Sequence, residues 1–357
     1  VDYPPLFDAL KRVNVQDCQK SGGWTEEDLT ERVKVLLQDK GSVLVVTNTK
    51  TTAKRLYESC KALSENVFHL STNMCPKHRK TIIEQVIDCL DPSNSKPVIC
   101  ISTQLIEAGV DVDFGAVIRC LAGLDSIAQA AGRCNRNGRQ EGRGIVQIVN
   151  MQNENLDELP EIRIAQKVTL RILDEYKNNP DKFNNDTIGH RAMKQFYEYY
   201  FYTRAHEMSY PVNRERLGCD DNLLSLLSTN QQSVDEYKRQ YGSPSLYLRQ
   251  SFKTAGKHFR VIDAPTEAII VPYNEEAKSI ILNLSANLPV KEEVKLLKAA
   301  QQYSVNIFPY MIKKLLKENA LFHTYEESEI WYLNSQYYSK DFGVSLEPVS
   351  QMEFLGA

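Results

Sequence analysis

Two arginines three residues apart are the side chains in this sequence best suited to chemistry. Arg133 and Arg136 stand in the stretch QAAGRCNRNGR, and Gln129 precedes the first of them by one helical turn. A guanidinium is always charged and presents a planar fork of donors, and residues at i and i+3 share one side of a helix. The pair is therefore predicted to reach one multiply charged group, such as a phosphoryl group during its transfer. The alternative, a solvated basic helix end that complements the helix dipole, explains Arg139 and Arg143 better than the first two arginines.

Polar side chains that follow two predicted strands are the next candidates. Thr103 and Gln104 come after the apolar run VICIS, and Thr49 follows the valine-rich run SVLVV. Ligands gather at the carboxyl ends of strands in an open parallel sheet, and a helix N-terminus offers unpaired N–H groups to an anion. Both places are therefore candidates for binding a phosphate group, although helix capping alone also explains Thr49.

A glycine and an aspartate in the segment EAGVDVDF extend the first of these places. Gly109 would let the backbone approach a ligand closely, and Asp111 would accept a hydrogen bond from a sugar hydroxyl. A polar turn with a glycine break explains the same residues, so both interpretations stay open for this segment.

The elements that must position these residues alternate between short apolar strands and helices of ten to fifteen residues. This alternation predicts an α/β fold with a doubly wound parallel sheet flanked by helices over residues 1–150. Residues 151–208 are predicted to form a helical linker, and residues 209–357 a smaller mixed α/β accessory domain. Within that domain, LRQSFKTAGKHFRVI interleaves basic and aromatic residues, which suits a single nucleic-acid strand. Taken alone, it is better explained as a strand with solvated charges and buried phenylalanines at 252 and 259.

Composition narrows the classes of protein. The chain has 357 residues and a formal net charge of -3, so any nucleic-acid site must be a local patch. Its apolar runs are too short for a membrane span, and it begins without a signal-peptide pattern. Eight scattered cysteines without a CxxC pair indicate reduced thiols in a cytoplasmic protein, and no metal site is predicted.

The quoted segments resemble conserved motifs of superfamily 2 helicases. STQLIEAGVDVDF and QAAGRCNRNGR look like motifs V and VI, and VLVVTNTKTTA looks like motif IV, in matching order and spacing. More narrowly, the first two are similar to those of the CRISPR-associated helicase–nuclease of type I systems, which the Cascade surveillance complex recruits to degrade target DNA. The resemblance covers residues 1–150 well and implies a second RecA-like domain there. It is looser over VIDAPTEAIIVPYN, which looks like part of the C-terminal accessory domain of that family.

The resemblance implies a role for each candidate residue. Glu107 is given only a structural or coupling role. The implied site comprises Arg133 and Arg136 as arginine fingers, Gln129 as the amide facing the γ-phosphate, Gly109 and Asp111 lining the nucleotide, and Thr49, Thr103 and Gln104 contacting the backbone of single-stranded DNA.

Three features of the family do not occur in this sequence: the G-x-x-x-x-G-K-[ST] phosphate loop, the Asp-Glu-x-x box and the histidine–aspartate nuclease cluster. The resemblance therefore implies that ATP and Mg²⁺ are held mainly by a first RecA-like domain outside these residues. Its expected partners are single-stranded DNA, Cascade, and the N-terminal nuclease and first RecA-like domains of the same enzyme. Alone, the chain is expected to hydrolyse essentially no ATP. Two alternatives stay open: another superfamily 2 remodelling helicase, and a non-catalytic module that docks a partner protein.

Overall fold

The computed structural model describes residues 10–212, 221–242, 249–260, 265–286, 289–325 and 328–349. The chain forms two compact units. The first comprises Val1–Phe196 together with Thr266–Ala357, and the second comprises Tyr197–Pro265. The domain boundaries expected at residues 150 and 208 stay predictions.

A six-stranded parallel sheet forms the first part of the larger unit. Its order is β1-β6-β5-β2-β4-β3, and every neighbouring pair is parallel. The predicted α/β fold with a parallel sheet is therefore confirmed. The strands are β1 (Val13–Asp17), β2 (Ser42–Val46), β3 (Asn66–Leu70), β4 (Val98–Ser102), β5 (Ala116–Cys120) and β6 (Gly144–Val149).

Helices cover both faces of this sheet, and each face has its own apolar core. Local sequence signals set the ends of the first helix: the Thr25 side chain caps its N-terminus, and Gly41 ends it with a φ of 71°. Pro76 occupies the first turn of the third helix, where its missing N–H costs no hydrogen bond. The helices are α1 (Glu26–Lys40), α2 (Lys50–Cys60), α3 (Pro76–Leu90) and α4 (Leu124–Ala131).

Two helices follow the sheet in the region predicted to be helical. They are α5 (Pro160–Asn178) and α6 (His190–Thr203). None of the helices in the described part of the chain is long and apolar enough to cross a membrane.

The described residues of the smaller unit contain the end of α6, a two-stranded sheet and three short α-helices. The strands β7 (Pro211–Val212) and β8 (Asp221–Asn222) are antiparallel, and the helices are α7 (Leu223–Leu227), α8 (Gln231–Tyr241) and α9 (Phe252–His258). The strand predicted around Phe252 is wrong, because this segment is helical and buries Ala255 instead of the phenylalanines. Phe252 is 68% exposed and Phe259 is 48% exposed.

A small mixed sheet completes the larger unit. Its order is β10-β9-β12-β11, and helices α10 (Glu275–Leu284), α11 (Val290–Ala300) and α12 (Pro309–Lys317) accompany it. Strand β12 pairs with β9 in parallel and with β11 in antiparallel orientation. The strands are β9 (Glu267–Ile270), β10 (Ser304–Ile307), β11 (Leu321–His323), β12 (Trp331–Leu333) and the hairpin β13 (Tyr338–Ser339) with β14 (Gly343–Val344).

The hairpin β13–β14 docks on the loop that follows β3. Gly343 has a φ of 76°, and a Cβ atom added there would lie 2.2 Å from the carbonyl oxygen of Asn73. The buried Tyr338 hydroxyl lies 2.9 Å from Nδ1 of His78, which is on α3. The position at 343 therefore requires glycine for both its φ and its close approach.

Candidate functional site

The two candidate arginines do not share one turn of a helix. Helix α4 ends at Ala131, Cys134 forms a bridge with Phe114, and Asn135 adopts a φ of 45°. The prediction that Arg133 and Arg136 share one side of a helix is therefore wrong. The helix ends before Arg133, because the chain at Cys134 pairs with Phe114, which precedes β5. The two side chains consequently have different surroundings.

Arg133 is buried against the segment that follows β4. Its Nε donates to the carbonyl of Ile106 at 3.0 Å, and its Nη2 donates to the carbonyl of Glu107 at 2.6 Å. Burial lowers the pKa of Arg133, and the nearby charge of Arg136 lowers it further. Arg133 forms no ion pair among the described residues. Its guanidinium donates hydrogen bonds to two neutral carbonyls instead.

Arg136 lies at the surface beside another predicted site residue. Its Nε lies 2.6 Å from Oδ1 of Asp111, and the two side chains are 42% and 82% exposed. Its main-chain N–H donates to Oδ1 of Asp113 at 2.7 Å, which fixes the backbone of this turn. The structure thus brings Arg136 and Asp111 together.

Gly109 and Gln129 are both exposed. Gly109 has a φ of 74°, but a Cβ atom added there would meet no described atom within 4 Å. Position 109 therefore requires glycine because of its backbone conformation and not because of close packing. Gln129 lies on α4, two residues before that helix ends.

The candidates for single-strand contact lie at the carboxyl ends of β2 and β4, which are neighbours in the sheet. The Thr49 side chain caps α2, where it accepts from the main-chain N–H of Thr52 at 3.1 Å. Thr103 is half-buried, and Gln104 is exposed at the start of a short 3₁₀ helix. In contrast, the carbonyl of Arg133 bonds to Phe114, just before the amino end of β5. The Arg133 side chain nevertheless reaches the carbonyls of Ile106 and Glu107, which closely follow Thr103 and Gln104 in the chain.

A buried polar cluster centred on Arg119 was not predicted from the sequence. Arg119 lies in β5 with no exposed surface, and its Nε is 2.9 Å from Oε1 of Glu107. Its Nη1 donates to Oδ1 of Asn48 at 2.8 Å, and its Nη2 donates to Oγ of Ser126 at 2.9 Å. We call Asn48, Glu107, Arg119 and Ser126 the Arg119 network.

The Glu107 carboxylate is held by the Arg119 network. The Ser126 hydroxyl lies 2.7 Å from both of its oxygens and donates to the carboxylate. Burial raises the pKa of Glu107, while the Arg119 charge and the Ser126 hydrogen bond act in the opposite direction. One signal in the sequence pointed to this cluster: an arginine inside the apolar strand AVIRC needs a buried carboxylate partner.

Comparison with known sequences connects the parallel-sheet region to one family. Residues 39–139 match the family described as "CRISPR-associated nuclease/helicase Cas3, C-terminal". A curated relative, the CRISPR-associated nuclease/helicase Cas3 of Haloferax volcanii, is 48% identical over 80 residues. This match covers 22% of the chain and 8% of the relative.

Solved structures share the fold at low sequence identity. The T. fusca Cas3-ADP crystal structure has a TM-score of 0.55 at 12% identity, with 90% of this chain and 39% of that chain covered. A crystal structure of a CRISPR-associated protein gives 0.54 at 11% identity, with 95% and 41% covered. The sheet flanked by helices thus has the RecA-like fold. Residues 39–139 of this chain are therefore similar to the C-terminal part of Cas3-type helicases, and the solved structures show that the chain shares their fold.

Proposed function

We propose that this chain is the second motor domain, with an accessory region, of an ATP-dependent translocase that acts on single-stranded DNA in type I CRISPR interference. The observation that carries the proposal is the exposed ion pair between Arg136 and Asp111. Exposed pairs contribute only about 0–1 kcal/mol, so a phosphate can replace this carboxylate at little cost. Arg136 is thus available to a triphosphate presented by another domain.

Arg133 supports the same function from a buried position. Its guanidinium donates to two neutral carbonyls, so these bonds do not neutralise its positive charge. We assign Arg133 and Arg136 to the γ-phosphate of ATP, with Gln129 beside them and with Gly109 and Asp111 lining the nucleotide. Arginines aimed at a transferring phosphoryl group stabilise the charge that spreads over it in the transition state.

Nucleotide and metal would be held jointly with the first motor domain of the enzyme. The open, polar surroundings of Gly109 and Asp111 and the positive charges of the two arginines fit a nucleotide phosphate. Among the described residues, no group of three or more His, Cys, Asp or Glu side chains could hold a metal ion. We assign Mg²⁺ mainly to the first motor domain. When bound, the metal would supply neutralisation of the phosphate oxygens.

Single-stranded DNA is assigned to the carboxyl edge of β2 and β4. Thr103 and Gln104 present polar side chains there, and Thr49 contributes by capping α2, whose N-terminal N–H groups suit a backbone phosphate. Recruitment by Cascade and a cytoplasmic location belong to the same proposal, because they are properties of the family.

The central test reconstitutes the motor. The chain is mixed with a polypeptide that carries the phosphate-loop motor domain and the nuclease, and ATP hydrolysis is measured with and without single-stranded DNA. We expect essentially no hydrolysis by the chain alone and DNA-stimulated hydrolysis by the mixture. A mixture that hydrolyses no ATP, or that ignores DNA, would contradict the motor assignment and favour a docking module.

Variants of the mixture test the two assigned sites. Arg136→Ala should lower DNA-stimulated hydrolysis by roughly 10³–10⁵-fold while single-strand binding persists. Arg139→Ala is the matched control, because it removes an exposed arginine of the same loop. Equal turnover of the two variants would refute the arginine-finger role.

Thr103→Ala should weaken single-strand binding and make hydrolysis less responsive to DNA. Wild-type affinity for single-stranded DNA would count against that contact.

A further inference from the structure

The Arg119 network lies at the carboxyl ends of β2, β4 and β5 and connects the residues to which the proposed function assigns DNA with those to which it assigns ATP. Arg119 is fully buried and bonds to side chains from three other segments of the chain. A buried charge that is paired with a carboxylate resists movement, because separating the two partners leaves each of them desolvated and uncompensated. Such a cluster can transmit a displacement from one of these groups of residues to the other.

One end of the network is the turn before α2. Asn48 is buried, immediately precedes the cap residue Thr49, and accepts from Arg119 at 2.8 Å. Its own amide donates to the carbonyl of Leu121 at 2.8 Å and to Oε2 of Glu154 at 2.9 Å. Arg119 therefore helps to hold this turn, and with it the start of α2, together with Leu121 and Glu154.

The other end of the network is the main chain of Glu107. The Glu107 side chain is held by Arg119 at 2.9 Å and by Ser126 at 2.7 Å, and its carbonyl accepts from Arg133 at 2.6 Å. The carboxylate and the carbonyl belong to one residue, so the network determines where the acceptor of Arg133 lies.

We propose that Glu107 is a positioning residue for the ATP hydrolysis proposed above. Arg119 and Ser126 fix its side chain, and its carbonyl in turn holds Arg133 and couples it to the turn at Asn48. The coupling rests on two parts of the proposed function, namely that Arg133 faces the nucleotide and that α2 lies at the DNA site. Displacement of α2 by a bound strand then reaches Arg133 through side chains that are in direct contact.

The positioning itself can be measured on this chain without ATP. Glu107→Gln removes the carboxylate charge at constant shape. Ser126→Ala removes the bridging hydroxyl but leaves the ion pair, which keeps the test valid if the first variant does not fold. Thr81→Ala is the control, because it removes a part-buried helix hydroxyl that bonds to the carbonyl of Lys77 at 3.1 Å. The readout is amide hydrogen exchange of residues 105–111 and 131–137.

We expect exchange in both segments to be about tenfold faster in Ser126→Ala than in the wild type, the loss expected for a hydrogen bond to a charged group. Glu107→Gln should accelerate it at least as much, and Thr81→Ala should leave it unchanged. Wild-type exchange in folded Ser126→Ala would overturn the positioning role.

The coupling is measured in the reconstituted mixture as the ratio of DNA-stimulated to basal hydrolysis. Ser126→Ala should lower that ratio through kcat, with KM for ATP little changed. The reason is that a misplaced arginine stabilises the transition state less, while it changes binding of the ground state little. A purely structural role would lower both rates in proportion and leave the ratio unchanged, which would overturn the coupling. If the wild-type mixture shows no DNA-stimulated hydrolysis, the proposed function fails, whereas hydrogen exchange still decides whether Glu107 positions Arg133.

Discussion

Two arginine–carboxylate pairs arise from one segment of this protein and differ in almost every physical respect. Glu107 and Arg119 form a buried pair, with exposed fractions of 6% and 0%. Asp111, four residues later, forms an exposed pair with Arg136. The buried pair has no competitor for its charges, whereas water, salt and ligands all compete for the exposed pair. The buried pair therefore holds the structure together, whereas the exposed pair leaves Arg136 available to a ligand.

Burial makes the two pairs unequal in what their loss costs. An unpaired charge in the interior keeps its full desolvation penalty, while a charge at the surface recovers its hydration. Ser126 and Asn48 add hydrogen bonds to Arg119, so removing its carboxylate also disturbs a larger set of contacts. Single substitutions should therefore separate the two pairs by several kcal/mol.

The largest effect is expected from Glu107→Ala. Loss of this carboxylate leaves Arg119 charged and buried, and the free energy of unfolding should fall by about 3–5 kcal/mol. Urea unfolding followed by circular dichroism measures the change, with Asp111→Ala as the control from the exposed pair. The double variant Glu107→Gln/Arg119→Met should recover most of the loss, because apolar replacement of a buried pair is often neutral. A double variant no more stable than Glu107→Ala would show that the charge is not the cause.

The turn between the two pairs should show an intermediate effect. Gly109 has a φ of 74°, and an alanine in this left-handed conformation costs about 1–2 kcal/mol. Gly109→Ala should therefore lower the unfolding midpoint in urea without changing the slope. Gly256→Ala is the control: that position also has open space around it, but it lies inside α9 with an ordinary φ, where alanine is favourable. Equal effects of the two substitutions would contradict a conformational cause.

The regular elements around both pairs could be predicted, because their signals are local. Apolar runs gave the strands, and Thr25 and Gly41 gave the ends of α1. The turn after α4 could not be predicted. The helix ends there because Cys134 forms a bridge with Phe114, and these two residues are far apart in the sequence.

The partners of Arg119 could not be predicted for a related reason. The sequence shows that an arginine in an apolar strand needs a carboxylate, but not which one. Glu107, Asn48 and Ser126 come from three other segments and meet only after the sheet has formed. The two residues of the exposed pair were easier to select from the sequence, because Asp111 and Arg136 both lie in segments that resemble helicase motifs.

The smallest effect is expected from the exposed pair, and it completes the comparison. A double-mutant cycle of Asp111→Ala and Arg136→Ala should give a coupling energy of about 0–1 kcal/mol in low salt. The coupling should vanish near 1 M salt, where screening acts over about 3 Å. A coupling above that range, or one that resists salt, would mean that Asp111 competes strongly with any phosphate for Arg136. Arg136 would then be a structural cation like Arg119, and the arginine-finger role would pass to Arg133 alone.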